Sequence, residues 1–268
     1  MLFASSCSFC SFIYLLPIVT NVWIWISFGT TYGLAYAQNH TNQDFPYISY
    51  TGVDEPESGI FSFLLTVSAI MLAVNAEIRF LFIRESIQRN RANCSNRWQI
   101  NINRQNIFGL VVGLLSSIGL LMVACFQVDT MVTPHFVGAA VAFILPLVYM
   151  CLQSALTCKL KRARWEWLWQ CINSAVTCII FVIFIVPFVY VKVEKKEDLK
   201  DVLLLAKITE LLLALSLYAF LISFMGCFKE IRVLTLNVQL VEDNHRYQDK
   251  ENRQQQVPLT LLTDTQSI

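Results

Sequence analysis

Phe45-Pro46-Tyr47-Ile48-Ser49-Tyr50-Thr51-Gly52-Val53-Asp54-Glu55-Pro56-Glu57-Ser58-Gly59-Ile60-Phe61 stands between two long apolar runs. It carries Asp54, Glu55 and Glu57 and no Lys or Arg. Pro46 and Pro56 fix backbone torsions, and Thr51-Gly52 is a turn signal, so the segment is a constrained loop rather than a helix. A short, acidic, proline-punctuated loop between two membrane spans reads as a folded cap on one face of a membrane protein.

The flanks carry that reading outward. From Met1 to Gln43 there is no Asp, Glu, Lys or Arg. The whole chain of 268 residues is 56% hydrophobic and 15% charged, against about 25% charged in a soluble domain. Blocks of about 20 apolar residues read as transmembrane helices. Six such blocks fall near residues 12–37, 59–83, 106–126, 134–158, 169–191 and 202–228. The expected fold is an all-α, six-helix transmembrane bundle over residues 1–228, with a structured loop between spans one and two. Residues 229–268 form a tail, partly disordered, whose Ile231, Leu234, Val238 and Val241 have the spacing of an amphipathic helix. Span one ends in Ala35-Tyr36-Ala37, a small-x-small pattern, but it lacks a basic leader and is too long for a signal peptide.

Bases set the orientation. The loop after span two holds Arg84, Arg89, Arg91, Arg97 and Arg104; the loop after span four holds Lys159, Lys161, Arg162 and Arg164. The tail adds Lys229, Arg232, Arg246, Lys250 and Arg253. The loops after spans one and three hold no Lys or Arg, and the loop after span five holds Lys192, Lys195, Lys196 and Lys200 beside acids. The excess of bases places both termini in the cytosol and the cap on the lumenal or exterior side. Of two glycosylation sequons, Asn39 is then lumenal and Asn93 cytosolic.

Charges inside spans cost roughly 2.5–3.5 kcal/mol at a helix centre. Glu77 and Arg79 lie in span two, two residues apart, and so do not face each other. Arg79 is expected to snorkel toward headgroups. In span six, Glu210 lies one turn beyond Lys207. Glu210 is either part of a proton or ligand site, or a structural acid packed on a neighbouring helix or paired with Lys207. The second is preferred because no further deep acid completes a relay. Gly29-x-x-x-Gly33 and Gly109-x-x-x-Gly113 read as internal helix packing. Pro17, Pro146 and Pro187 are expected to kink their spans. His135 is an interfacial histidine, and Cys7, Cys10, Cys158 and Cys227 are positions for palmitoylation. The Cys7-x-x-Cys10 pair lacks the partner pair that a zinc site requires. No hydrolase, metalloprotease, P-loop or dinucleotide motif is found. No enzyme activity, cofactor or metal is expected, and the net charge of +1 argues against nucleic acid.

The cap residues Phe45, Pro46, Tyr47, Ile48, Ser49, Thr51, Gly52, Pro56, Glu57, Ser58, Gly59, Ile60 and Phe61 resemble the signature of the damage-regulated autophagy modulator (DRAM) family. That pattern has Asp where this chain has Tyr50. Phe126-Gln127, His135, Gly138, Ala139, Leu152-Gln153-Ser154 and Glu210 extend the resemblance across all six spans. The wider group includes Sfk-like and FGF-receptor-activating-protein-like membrane proteins. The resemblance implies a six-span protein of lysosomal or endosomal membranes that promotes autophagy, in some members linked to cell death. It would act through membrane lipids and unidentified membrane or cytosolic proteins. An alternative is a lipid-organising protein of the plasma membrane or Golgi; a third is a small-solute transporter using Glu210.

The cap's acids have no lysine or arginine to meet in the first two lumenal loops. The expectation is that the cap docks on the loop after span five through Lys192, Lys195, Lys196 and Lys200, with ion pairs of roughly 0–1 kcal/mol each. Phe45, Tyr47 and Phe61 would supply most of the stability, at roughly 1.5–3 kcal/mol per fully buried ring.

Overall fold

Apolar runs of this length fold as helices because lipid offers no partner for a free backbone N–H or C=O. The computed structural model describes residues 8–41, 45–91, 94–194 and 200–231. Six long helices result: α1 (Leu16–Ala37), α2 (Glu57–Arg89), α3 (Asn96–Cys125), α4 (Val132–Lys159), α5 (Arg164–Glu194) and α6 (Lys200–Leu221). A 3₁₀ helix, Ser8–Leu15, leads into α1, and α6 continues through a 3₁₀ turn into α7 (Met225–Lys229). All six are long and apolar enough to cross a membrane. The protein is an all-α, multi-pass membrane bundle.

The helices overrun the apolar blocks. Hydropathy registers only the apolar middle, whereas backbone hydrogen bonding continues into polar flanks. At 33 residues, α2 is about 50 Å long and exceeds the roughly 30 Å hydrocarbon layer. At the start of α3 the Ser95 hydroxyl accepts the Trp98 N–H at 3.3 Å, a side-chain cap beyond the reach of hydropathy.

Each long helix packs on its neighbours in sequence, and α6 closes back on α1, so the six form a ring. Short connections favour such antiparallel neighbours. Polar side chains tie the ring together inside. The Asn21 amide donates to the Tyr218 carbonyl at 2.9 Å, the Asn75 amide to Thr20 Oγ1 at 2.9 Å, and the Trp23 indole to the Leu64 carbonyl at 3.0 Å.

The two glycine pairs part company. A Cβ on Gly113 would meet Ala76 Cβ at 2.9 Å and Tyr149 at 3.1 Å, so α3 uses this gap to approach α2 and α4. Gly29 and Gly33 face outward with nothing within 4 Å, contrary to the expectation of internal packing. Pro17 also departs from expectation. It occupies the first turn of α1, where its missing N–H breaks no helix bond, while Pro146 and Pro187 lie inside α4 and α5.

Candidate functional site

Between α1 and α2 the chain folds into the cap, whose centre is a short 3₁₀ helix, Ile48–Gly52. Its first N–H groups have no partner within so short a helix. Glu210, from the middle of α6, supplies one: its Oε2 accepts the Ile48 N–H at 2.8 Å. The Thr51 hydroxyl donates to the Ile48 carbonyl at 2.7 Å and lies 3.2 Å from Thr31 Oγ1 of α1. Glu210 is thus a buried acid that holds the cap. Lys207, half-buried one turn away, forms no ion pair with it among the described residues.

Of the three rings expected to bury in the cap, Phe61 does so and Phe45 and Tyr47 are half-buried. Phe61 is buried, Phe45 lies 5.6 Å from Tyr32, and Tyr47 packs edge-on to Phe188 of α5 at 6.1 Å. Burial, with Glu210 and Tyr50 adding to it, pushes the Tyr47 phenol up to about 12. Gly52 has an ordinary negative φ, not the positive one its type allows. It is needed for room, because a Cβ there would lie 2.7 Å from Phe61 Cβ and collide with the ring. Ser49 lines the cavity below, Pro46 an outward groove of about 190 Å³ beside Trp25 and Gly29. Tyr50, the departure from the family pattern, is exposed.

Of the expected lysine docking, only Lys200 falls wholly within the described residues. Lys195 and Lys196 lie outside the described residues, as does the side chain of Lys192. Lys200 makes no ion pair with Asp54, Glu55 or Glu57. Asp54 and Glu55 are exposed, but Glu57 is only 1% exposed. Its Oε1 is 2.9 Å from His40 Nδ1. The chain doubles back through the cap and brings the end of α1 against the start of α2, where a carboxylate also suits the helix dipole. Counting only Lys and Arg hid this partner. Ser58 is buried, with its N–H donating to the Asp54 carbonyl at 2.8 Å; Pro56 and Gly59 are exposed. Asn39 is exposed just past α1, at φ 58°. Asn93 lies outside the described residues.

At the opposite end of the bundle is a polar cluster that was not expected. Arg79 does not snorkel. It is fully buried, its guanidinium held between α4 and α7. Its Nε donates to Gln153 Oε1 at 3.1 Å, Nη2 to Thr157 Oγ1 at 2.7 Å and Nη1 to Cys227 Sγ at 2.7 Å. The rings of Phe224 and Phe82 flank it at 5.0 and 5.7 Å. Cys227 is 1% exposed and so out of reach of palmitoylation, whereas Cys158 is exposed. The Cys227 thiol leads on to Glu166 Oε2 at 3.9 Å, and Glu166 pairs with Arg162 at 3.0 Å. Burial works against the Arg162 charge, yet bonds from Glu166 and Glu230 raise its pKa above the ordinary arginine value. Glu77, two residues from Arg79, is exposed on the outer face.

Several positions that carry the resemblance converge. The His135 Nδ1–H donates to the Phe126 carbonyl at 2.6 Å and pins the α3–α4 turn, and His135 is buried in the first turn of α4. Gly138 lets Met122 and the Gly119 carbonyl approach, and Gln153 lies over Gly109. Glu210, His135 and Ala139 line one cavity beneath the cap.

A six-span bundle with a folded cap held by a deep acid defines the class. Residues 12–231 match the family model described as the Frag1/DRAM/Sfk1/Cwh43P N-terminal domain, and the chain belongs to that family. It is similar to DNA damage-regulated autophagy modulator protein 1 of Homo sapiens, 31% identical over 185 residues, covering 68% of this chain and 74% of that protein. It is also similar to modulator of macroautophagy TMEM150B-A of Xenopus laevis, 32% identical over 149 residues, 55% of this chain and 59% of that one. DNA damage-regulated autophagy modulator protein 2 of Bos taurus is 31% identical over 146 residues, 54% and 52% of the two chains. No solved structure matches.

Proposed function

We propose that this protein is a non-enzymatic regulator of autophagy in lysosomal or endosomal membranes, with both termini cytosolic. The observation that carries this is the family match across residues 12–231, together with relatives named as autophagy modulators. The buried polar groups support a role through contacts rather than chemistry. Arg79 is occupied by Gln153, Thr157 and Cys227, and Glu210 by Ile48. The bundle would present its outer faces to lipids and to membrane or cytosolic proteins. The test is to image the tagged protein against organelle markers and to measure autophagic flux on its loss. Lysosomal or endosomal location with altered flux is expected. A plasma-membrane or Golgi location with unchanged flux would overturn it in favour of the lipid-organising alternative.

A further inference from the structure

The six apolar blocks hold two acids, Glu77 and Glu210, and two bases, Arg79 and Lys207. Arg79 and Glu210 are buried and hydrogen-bonded, and Lys207 is half-buried at the cap end of α6. Glu77 alone is exposed. It stands on the outer face of α2 and makes no hydrogen bond or ion pair among the described residues.

Its depth follows from a neighbouring contact. The Asn106 amide of α3 donates to the Phe80 carbonyl of α2 at 3.0 Å, so the first residue of the α3 apolar block stands level with Phe80. Glu77 is three residues further in, about 5 Å. The Cα–Cβ bonds of a helix tilt toward its N-terminus, and the N-terminus of α2 is at the cap. The Glu77 side chain therefore starts away from the nearer, arginine-bearing end and toward the hydrocarbon. Charged groups in spans almost always face a bundle interior or pair with one another.

The residues around Glu77 have the spacing of a helix seam. Ile70, Val74, Glu77, Leu81 and Arg84 are all exposed, at alternating steps of four and three. Two membrane helices pack along that repeat. From Ile70 to Arg84 the seam is about 20 Å long. A second copy of this chain offers no counter-ion from its described spans, because Arg79 is buried and Lys207 lies at the opposite end of the bundle.

We propose that this face of α2 docks a transmembrane helix of another membrane protein, one that sets a lysine or arginine on Glu77 about one turn inside the membrane edge. The inference does not depend on the autophagy reading. The test places the full chain in phosphatidylcholine nanodiscs with synthetic leucine-rich transmembrane helices. Each carries a single Lys, Gln or Glu one turn inside the matching end, beside a photoreactive group. The Lys helix is expected to cross-link to α2, around Val74 and Leu81, about tenfold more than the Gln helix. Glu77→Gln should remove that preference, and Glu77→Lys should transfer it to the Glu helix. Thermal melting checks that the variants fold, and Glu77→Gln stands alone if Glu77→Lys does not. Equal cross-linking of the Lys and Gln helices, a preference that survives Glu77→Gln, or cross-links confined to other faces, such as Ile118 and Ile144, would each overturn the assignment. Glu77-dependent self-association without added helix would overturn it in favour of a second copy. A Lys preference that appears only once Arg246, Lys250 and Arg253 are changed to Gln would overturn it in favour of the chain's own tail.

Discussion

Glu210 accepts a hydrogen bond from the Ile48 N–H at 2.8 Å, across 162 residues of chain. Replacing this acid separates its charge from its acceptor. Glu210→Gln can still accept from Ile48 and should keep abundance and location near wild type. Glu210→Leu leaves a buried N–H unpaired, a cost of about 1–3 kcal/mol. Limited proteolysis at the cap checks this, with Leu cut faster than Gln. Equal rates would remove Glu210 as the cap's anchor.

Gly52→Val should be worse than most cap changes, because its Cβ would run into Phe61. Overpacking costs about 1–3 kcal/mol. The readout is a lower melting temperature in detergent and retention in the endoplasmic reticulum. Normal export of Gly52→Val would show that Phe61 can move aside.

Glu57→Gln and Glu55→Gln form a matched pair. Glu57 is buried on His40, whereas Glu55 is exposed. The Glu57 Oε2 position has no described partner, so Gln would set an N–H₂ where no acceptor stands. A loss of about 1–3 kcal/mol is expected at position 57 and within about 0.5 kcal/mol at 55. Because Tyr47 is only half-buried, Glu57→Gln should rival Tyr47→Ala. Thermal melting of the three variants decides.

Arg79→Leu strips the partner from Gln153, Thr157 and Cys227 at once. Each buried polar group left unpaired costs about 1–3 kcal/mol, seen as low abundance. Arg79→Lys should recover little, since an ammonium cannot reproduce the fork of three donors. If Lys restored wild-type abundance, charge rather than geometry would be what the cluster requires.

The orientation is tested by glycan mapping. Endoglycosidase treatment should find any native glycan on Asn39 and none on Asn93. A glycan on Asn93 would invert the membrane orientation.

Legibility in the sequence followed the range of the interaction. Span number and the cap could be read because apolar runs and prolines act locally. The deep acid in α6 was visible, but its partner was not, because Ile48 contributes a backbone group that leaves no mark in composition. Arg79 and Glu77 differ only by two positions along one helix, yet one is fully buried and the other faces out. Which face looks inward depends on neighbours far along the chain. The two glycine pairs show the same limit: identical spacing, opposite surroundings.

The closure of α6 onto α1 also has a meaning in time. Synthesis runs from the N-terminus, so the cap leaves the ribosome long before Glu210 does. During that interval Ile48 lacks its acceptor and Asn21 lacks the Tyr218 carbonyl. A chain stopped before its last span has a cap that still meets Thr31, Tyr32 and Phe61 but lacks Glu210. Closure of the cap on α6 therefore cannot precede synthesis of the last span.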